Sequence, residues 1–312
     1  MVRQRLVIGT RGSKLALWQA EHIAERLRQE HAGLEVELKR IVTTGDKVLD
    51  VPLAKIGGKG LFTKELEVEM LSGQIDLAVH SLKDMPTELP EGLCLAAITE
   101  RADAGDALVS REYASLEALP LGATLGTSSL RRKAQLLRLR PDLKMVDLRG
   151  NLDTRLKKVQ TGELDAIVLA AAGLKRLGWE QEIAEILKTE ICLPAVGQGC
   201  LAVEARADDA EVLSLLAFLN HKPSRVAAEA ERAFLREVEG GCQVPVGVYA
   251  QEEQGQLTVT AVILTLDGKE CLKAQKSGCN EDAAELGVAL AKQLLAAGGK
   301  EILAELMQSE GV

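Results

Sequence analysis

Arg5 to Gly9 is a short apolar run that reads as a buried strand, and the period then changes. From Lys14 to about Glu30, apolar residues fall at 15, 17, 20, 23, 24 and 27, one helix face, with Ser13 placed as N-cap and Arg11 just ahead of it. Leu34 to Val42 alternates and predicts a second strand. Thr43 to Gly60 holds Thr-Thr-Gly-Asp and Gly57-Gly58-Lys59-Gly60, which is too rich in glycine for regular structure. A helix is expected from Thr63 to Leu71. An apolar strand from Gln74 to Val79 follows, running into His80-Ser81-Leu82-Lys83-Asp84-Met85-Pro86, where the proline ends any regular element.

The same landmarks then recur. Ile8-Gly-Thr-Arg-Gly-Ser13 is echoed by Leu125-Gly-Thr-Ser-Ser-Leu130, each closing a strand and opening a helix. Gly73 to Val79 (GQIDLAV) is echoed by Gly162 to Val168 (GELDAIV), each opening a strand. Two similar α/β lobes follow from this: one over 1–99 with 200–217, the other over 105–193. Glu100 to Gly105 would be the first crossover and Pro194 to Gly199 the return, with Cys200 to Ala205 rejoining lobe one as a strand. Two crossovers make a hinged cleft, across which the helix starts at Ser13 and Ser128 are expected to face each other. After His221-Lys-Pro223 the texture changes. An amphipathic helix from Ser224 to Val238 is halted by Gly240-Gly241, and hairpin strands (Leu257 to Leu266, Cys271 to Lys276) and C-terminal helices follow. Residues 222–312 form a separate α+β domain, so the fold class is α/β with two lobes, a double crossover and a C-terminal α+β domain.

Charge adds a direction. Gly126 to Lys158 carries ten Lys or Arg against three Asp, a balance of +7 in a chain of −8, leaving −15 elsewhere. A basic island in an acidic protein focuses a field on an anionic partner. Ser128 or Ser129 would cap a helix reaching Arg140, before Pro141, with Thr127 at the strand end and Arg131 and Arg132 in the first turn; such helix starts seat anions. A strand from Leu143 to Leu148 delivers Arg149, and a second helix brings Arg155 one turn in. The alternative is a solvated basic helix face. The 43–60 loop lacks nucleotide-loop spacing; it is either a mobile lid carrying Lys55, Lys59 and Phe62 or an ordinary long loop. Ser81, Lys83 and Asp84 lie just beyond a strand end, where sites on α/β sheets gather, although by themselves the last two are more commonly a surface ion pair.

Only seven aromatic residues occur among 312, which argues against stacking platforms for single-stranded nucleic acid. Six cysteines form no C-x-x-C pair and four histidines are scattered, so no metal site is readable. The first apolar run is too short for a signal peptide and no stretch reaches membrane length, so a soluble cytoplasmic protein is expected. Cys242 stands on a Gly-Gly turn, where a thiol serves as nucleophile or attachment point, or is a plain loop cysteine.

GTRGSKLALWQ, GGKGLFTKELE, DLAVHSLKDMP, GTSSLRRKAQL, LRGNLDTRL, LPAVGQG and EGGCQVPVG run in this order from residue 9 to 247. Together they resemble the motifs of the porphobilinogen deaminase (hydroxymethylbilane synthase) family; beyond about residue 250 no motif contributes. The resemblance implies lobes like those of periplasmic binding proteins and a third domain carrying a dipyrromethane cofactor, joined by a thioether to Cys242. It also implies that four porphobilinogens are deaminated and added head to tail, and that hydrolysis releases the linear tetrapyrrole for haem and related pigments. Lys83, Thr127, Ser129, Arg131 and Arg132, with Ser81 and Ser128, would hold the cofactor. Arg11, Ser13, Arg149, Arg155 and Arg176, with Gln19, Lys55, Lys59, Phe62 and Gln198, would handle the incoming ring and growing chain. Asp84 matches the family's catalytic carboxylate. Each pyrrole brings two carboxylates, which suits arginine forks at element starts. A monomer acting on porphobilinogen, with neither nucleic acid nor membrane as partner, is the expectation. A small-anion-binding module on the same two lobes is the rival, but it leaves the third domain and its Gly-Gly-Cys loop unexplained.

Overall fold

A computed structural model describes residues 3–47, 60–238 and 244–309. Its strands are β1 (Arg5–Thr10), β2 (Glu35–Arg40), β3 (Leu77–Ser81), β4 (Leu93–Ile98), β5 (Asp106–Val109), β6 (Thr124–Gly126), β7 (Lys144–Val146), β8 (Ala166–Ala170), β9 (Glu185–Leu187), β10 (Leu201–Arg206), β11 (Val246–Glu253), β12 (Gln256–Leu264) and β13 (Cys271–Cys279). The helices are α1 (Lys14–Glu30), α2 (Thr44–Lys47), α3 (Lys64–Leu71), α4 (Leu130–Leu139), α5 (Leu152–Gln160), α6 (Ala171–Arg176), α7 (Ala210–Leu216), α8 (Lys222–Glu237), α9 (Ala283–Leu294) and α10 (Lys300–Ser309).

Two five-stranded sheets have the same plan. The first runs β2-β1-β3-β10-β4 and the second β7-β6-β8-β5-β9. In each the first three strands are parallel and the fourth is antiparallel to both neighbours. That fourth strand comes from the other lobe: β5 enters sheet two straight after the first crossover, and β10 returns to sheet one after the second. The expected two-lobe, double-crossover class with a C-terminal α+β domain is the one observed.

The repeat has a physical basis in both lobes. A Cβ at Gly9 would lie 2.3 Å from Ile75 Cδ1, and one at Gly126 would lie 2.7 Å from Leu164 Cδ1. One residue further on, Asp76 accepts from the Val7 N–H at 2.8 Å and Asp165 from the Thr124 N–H at 2.7 Å. Glycine at the end of one strand thus admits the residue opening its parallel neighbour, and a carboxylate pins the strand start. Burial does the rest. Leu6, Ile8, Ile23, Leu27, Leu77 and Val203 share one core, each contributing about 1.5–3 kcal/mol.

The crossovers touch. Ala102 N–H donates to Gly199 O at 3.1 Å, and Gly199, at φ +93°, leaves no room for a Cβ beside Ala102 O. The third domain packs α8 and α9 on the antiparallel sheet β11-β12-β13, around Phe234, Leu257, Val259 and Leu290. Its fully buried Glu231 accepts from Arg101 at 2.8 Å, Gly197 N–H at 2.6 Å and Ala250 N–H at 2.8 Å, clasping the domain to both crossovers.

Several local expectations need correcting. Thr44–Lys47 is helical despite its glycine, because Gly45 lies against Phe62 and Thr44 bonds Glu65. Strand β11 was not expected; its run from Val246 ends in Gln-Glu-Glu, which hides the alternation. Ser81 closes β3 rather than lying beyond it. Of the two caps open for α4, Ser129 is the one observed. Across the cleft the start of α1 meets α5 and α6 instead of α4: Lys14 pairs with Asp153 at 3.0 Å, and a Cβ on Gly173 would lie 3.7 Å from Leu15.

Candidate active site

On lobe one the backbone tightens after β3 into a 3-10 turn, Leu82–Asp84, closed by Met85 N–H to Leu82 O at 3.1 Å. Leu82 and Met85 are buried, which leaves Lys83 half-buried and Asp84 exposed. Residue 197 must be glycine for this turn to seat, since a Cβ there would lie 2.6 Å from Leu82 Cγ. Buried Gln19 donates to Ser81 Oγ at 2.8 Å. Ser13 caps α1 by accepting from Ala16 N–H at 3.2 Å. Arg11 lies 4.1 Å over the Phe62 ring and forks onto Asp46 at 3.2 and 2.5 Å. Burial pushes the Asp46 carboxyl up, but Arg11 and Thr43 outweigh it and hold it below the usual range. Arg11, Ser13, Gln19, Phe62, Ser81 and Asp84 line one crevice.

On lobe two the centre is a carboxylate that sequence reasoning missed. Asp106, fully buried at the start of β5, accepts from Arg131 at 2.6 Å, from Arg132 at 2.9 and 2.6 Å, from Gln198 at 2.9 Å and from the Cys192 thiol at 3.2 Å. Burial would raise its pKa; the two guanidiniums hold it far below the ordinary range. The same burial, with Asp106 beside it, pushes the Cys192 thiol up to about 12. A lone Asp opening an apolar run, Asp106-Ala-Leu-Val109, was the available signal. Arg131 faces backward, donating to Leu193 O at 2.7 Å, so of the expected pair only Arg132 lines the cleft. Ser128 is also spent inside the lobe: its hydroxyl donates to Leu148 O and accepts from Leu148 N–H, both at 2.8 Å. Thr127 is buried and accepts from Ser129 N–H at 3.2 Å. Arg155 donates to Gly150 O at 2.8 Å, and Arg176 to Gly199 O at 2.7 Å.

Ser81, Lys83, Arg132, Arg155, Arg176 and Gln198 come together in a second crevice between the lobes. Burial, then the charge of Arg132, draws Lys83 down to about 8 against the opposing pull of Asp84. Burial, then Arg132 and Arg149, draws Arg155 down to about 10. Four cations, Lys83, Arg132, Arg155 and Arg176, crowd this crevice, with Asp84 and Asp106 as the carboxylates acting on them. Gln198 uses its amide N–H groups on Asp106 and Ala104 O (2.7 Å), leaving Oε1 buried with no hydrogen-bond partner among the described residues. Lys55, Lys59 and Cys242 lie outside the described residues. A further buried group went unread: His80, at 3.0 Å from Glu204, beside Glu67, whose carboxyl is raised first by burial and then by Glu204. Its partners are spread over β3, β10 and α3, so no local spacing announces it.

The Lys83 shift carries a sign. In the folded protein the ammonium is penalised at neutral pH, and the penalty fades as pH rises from about 8 toward the ordinary lysine value. A carboxylate seated against Lys83 reverses that preference. The chain should therefore bind a small dicarboxylate in this crevice with flat affinity below about 8 and up to tenfold weaker per pH unit above it, with proton uptake. Calorimetry in buffers of different ionisation heat measures the uptake. Lys83→Met should bind weakly without it, and a wild type showing none at about pH 9 would exclude Lys83 from the seat.

Fold and crevices together define a two-lobed α/β protein whose interlobe crevice is lined by cations and whose third domain is clasped to both crossovers. Residues 6–214 match the family model "Porphobilinogen deaminase, dipyromethane cofactor binding domain", and 226–296 match the C-terminal domain of porphobilinogen deaminase. The chain belongs to the porphobilinogen deaminase family, transferases of tetrapyrrole synthesis. It is 52% identical over 309 residues to the porphobilinogen deaminase of Desulforamulus reducens, covering 99% of this chain and 100% of that protein. It is 54% identical to that of Syntrophomonas wolfei, covering 97% and 99%. Among solved structures it is similar to the methionine binding protein MetQ, with TM-score 0.45, 15% identity and coverage of 69% of this chain and 89% of that one. The periplasmic aliphatic sulphonate binding protein SsuA from Escherichia coli aligns at TM-score 0.41 and 14% identity, over 76% and 71%.

Proposed function

We propose that this chain joins four porphobilinogens head to tail on a dipyrromethane primer held by a thioether to Cys242, and releases hydroxymethylbilane by hydrolysis. The supporting observation is the second crevice, where Lys83 and Arg155 are both drawn below their ordinary values and the buried Gln198 Oε1 lacks a donor. Carboxylates relieve the first condition through charge-assisted hydrogen bonds, and a pyrrole N–H relieves the second. The residues present therefore fit the primer. Lys83, Arg132, Ser129, Thr127 and Ser81 would hold its carboxylates, while Arg131 and Ser128 brace the wall from behind. When bound, the primer supplies the nucleophilic pyrrole carbon.

Arg11, Ser13, Gln19 and Phe62 on lobe one, with Lys55 and Lys59, would orient the incoming ring; Arg149, Arg155, Arg176 and Gln198 would grip the lengthening chain from lobe two. Asp84 is the one carboxylate lining its crevice among the described residues. It stabilises the cation that porphobilinogen becomes on losing ammonia, and takes the proton released at each condensation. The reading includes domains over 1–99 with 200–217, 105–193 and 222–312, and a cytoplasmic monomer with neither nucleic acid nor membrane as partner.

Intact mass tests the attachment. Wild type should carry the mass of a dipyrrole and give a pink adduct with acidic p-dimethylaminobenzaldehyde; Cys242→Ser should lose both while its lobes stay folded. A covalent dipyrrole retained by Cys242→Ser would sink the assignment.

A further inference from the structure

The turn that carries Asp84 is held from outside its own lobe. Arg232, on α8 of the third domain, donates to Pro86 O at 2.7 Å and Thr87 O at 3.1 Å, and Arg236, one turn on, donates to the same Thr87 O at 3.1 Å. Leu82 and Met85, on either side of Lys83 and Asp84, share a core cluster with Ala228 of the same helix. The Asp84 turn therefore rests on α8 by its apolar residues and is tied to it by its carbonyls.

The cost of the tie is what marks it. Arg232 is 8% exposed, and among the described residues its partners are carbonyls, with no carboxylate. Burial, then Arg236, pulls its guanidinium down to about 10. A buried charge without a counter-ion is a poor way to stabilise an interface, and an apolar side chain would do that better. A guanidinium whose Nη2 is shared between two successive carbonyls does set position. Helix α8 also ends at Glu237, five residues before Cys242.

We propose that Arg232 is a positioning residue for Asp84, holding its turn in register with the helix that ends five residues before Cys242. The inference rests on the roles given above to Asp84 and Cys242. Anchor and carboxylate belong to different domains, and each addition requires the reacting end of the chain to meet Asp84. Letting the turn drift by about 1 Å would cost up to on the order of a hundredfold in rate without loosening substrate.

Holoenzyme carrying Arg232→Gln should keep its primer by mass and hold KM within about threefold, while kcat falls by about tenfold or more. Arg232→Lys, which still presents a cation to both carbonyls, should recover most of the loss. In an Asp84→Asn background Arg232→Gln should lower the residual kcat by less than about twofold, because its effect runs through Asp84. Unchanged kcat in Arg232→Gln, or an equal loss in both backgrounds, overturns the proposal. If Arg232→Gln does not fold, Arg236→Gln, which shares the Thr87 carbonyl, should lower kcat about two- to threefold at unchanged KM and Tm, and no change there overturns it too. Asp84→Asn at wild-type turnover would instead sink the role of Asp84 beneath it.

Discussion

Asp84→Ala is expected to keep its primer and lose about a hundred- to a thousandfold in turnover. The carboxylate is exposed on the 3-10 turn and shares its crevice with Arg11, Ser13 and Phe62. Arg11 is already paired with Asp46, so Asp84 is the anion left to answer a cation forming on substrate. At about 4 Å and an effective dielectric near 20 the attraction is about 4 kcal/mol, or about a thousandfold if it arises only in the transition state. Solvent reaching an exposed group takes part of that away. Asp84→Glu keeps the charge one methylene too far and should retain some turnover. Single-turnover ammonia release decides the matter. An alanine enzyme within about tenfold of wild type would reduce Asp84 to a surface partner of Lys83, worth under about 1 kcal/mol.

Asp106→Asn is expected to destabilise lobe two by about 3–5 kcal/mol, a large part of a domain's whole stability. The substitution leaves Arg131 and Arg132, both buried, without the carboxylate they share. Arg131→Leu should cost less, since Asp106 keeps Arg132. The pH sign is that of a depressed carboxyl: the pair's contribution is present above the ordinary carboxylate range and is lost only in strong acid, as Asp106 protonates. Urea titrations of wild type and variant between about pH 4 and 8 should therefore run parallel, well separated. Coincident midpoints would mean the lobe does not depend on this triad. Substituting Arg131 or Arg132 thus disturbs the lobe itself, and a failure to assemble primer in either variant must be read beside its stability.

Much of this was legible because it is local. Helix α1 spans Lys14–Glu30 as its apolar spacing requires, with Ser13 bonded as cap. The repeat was legible as well, since Gly9 with Asp76 and Gly126 with Asp165 do the same steric and hydrogen-bonding work in each lobe, and equal work leaves equal residues. The motifs identified the family; of the site residues expected from the resemblance, some line the two crevices, whereas Thr127, Ser128, Ser129, Arg131 and Arg149 are in neither lining.

Charge alone could not say which cations face the cleft. Arg131 and Arg132 are neighbours in the first turn of α4, yet Arg131 turns back to Leu193 while Arg132 lines the crevice. Asp106, which opens β5 25 residues before Arg131, holds both; Leu193 O then draws Arg131 one way and Val168 O draws Arg132 the other. Ser128 and Ser129 are equally good caps by type; Leu148, delivered by the next strand, takes one and leaves the other. The His80, Glu204 and Glu67 group and the tie from Arg232 to the Asp84 turn join strands and helices far apart in the chain. The sequence by itself determined the elements, the repeat and the family, because periodicity, caps and close-packed glycines act within a few residues. Only the tertiary structure decided which charges are spent inside the protein and which face the cleft, because a carboxylate's partner is whichever cation the folded chain brings within hydrogen-bonding reach.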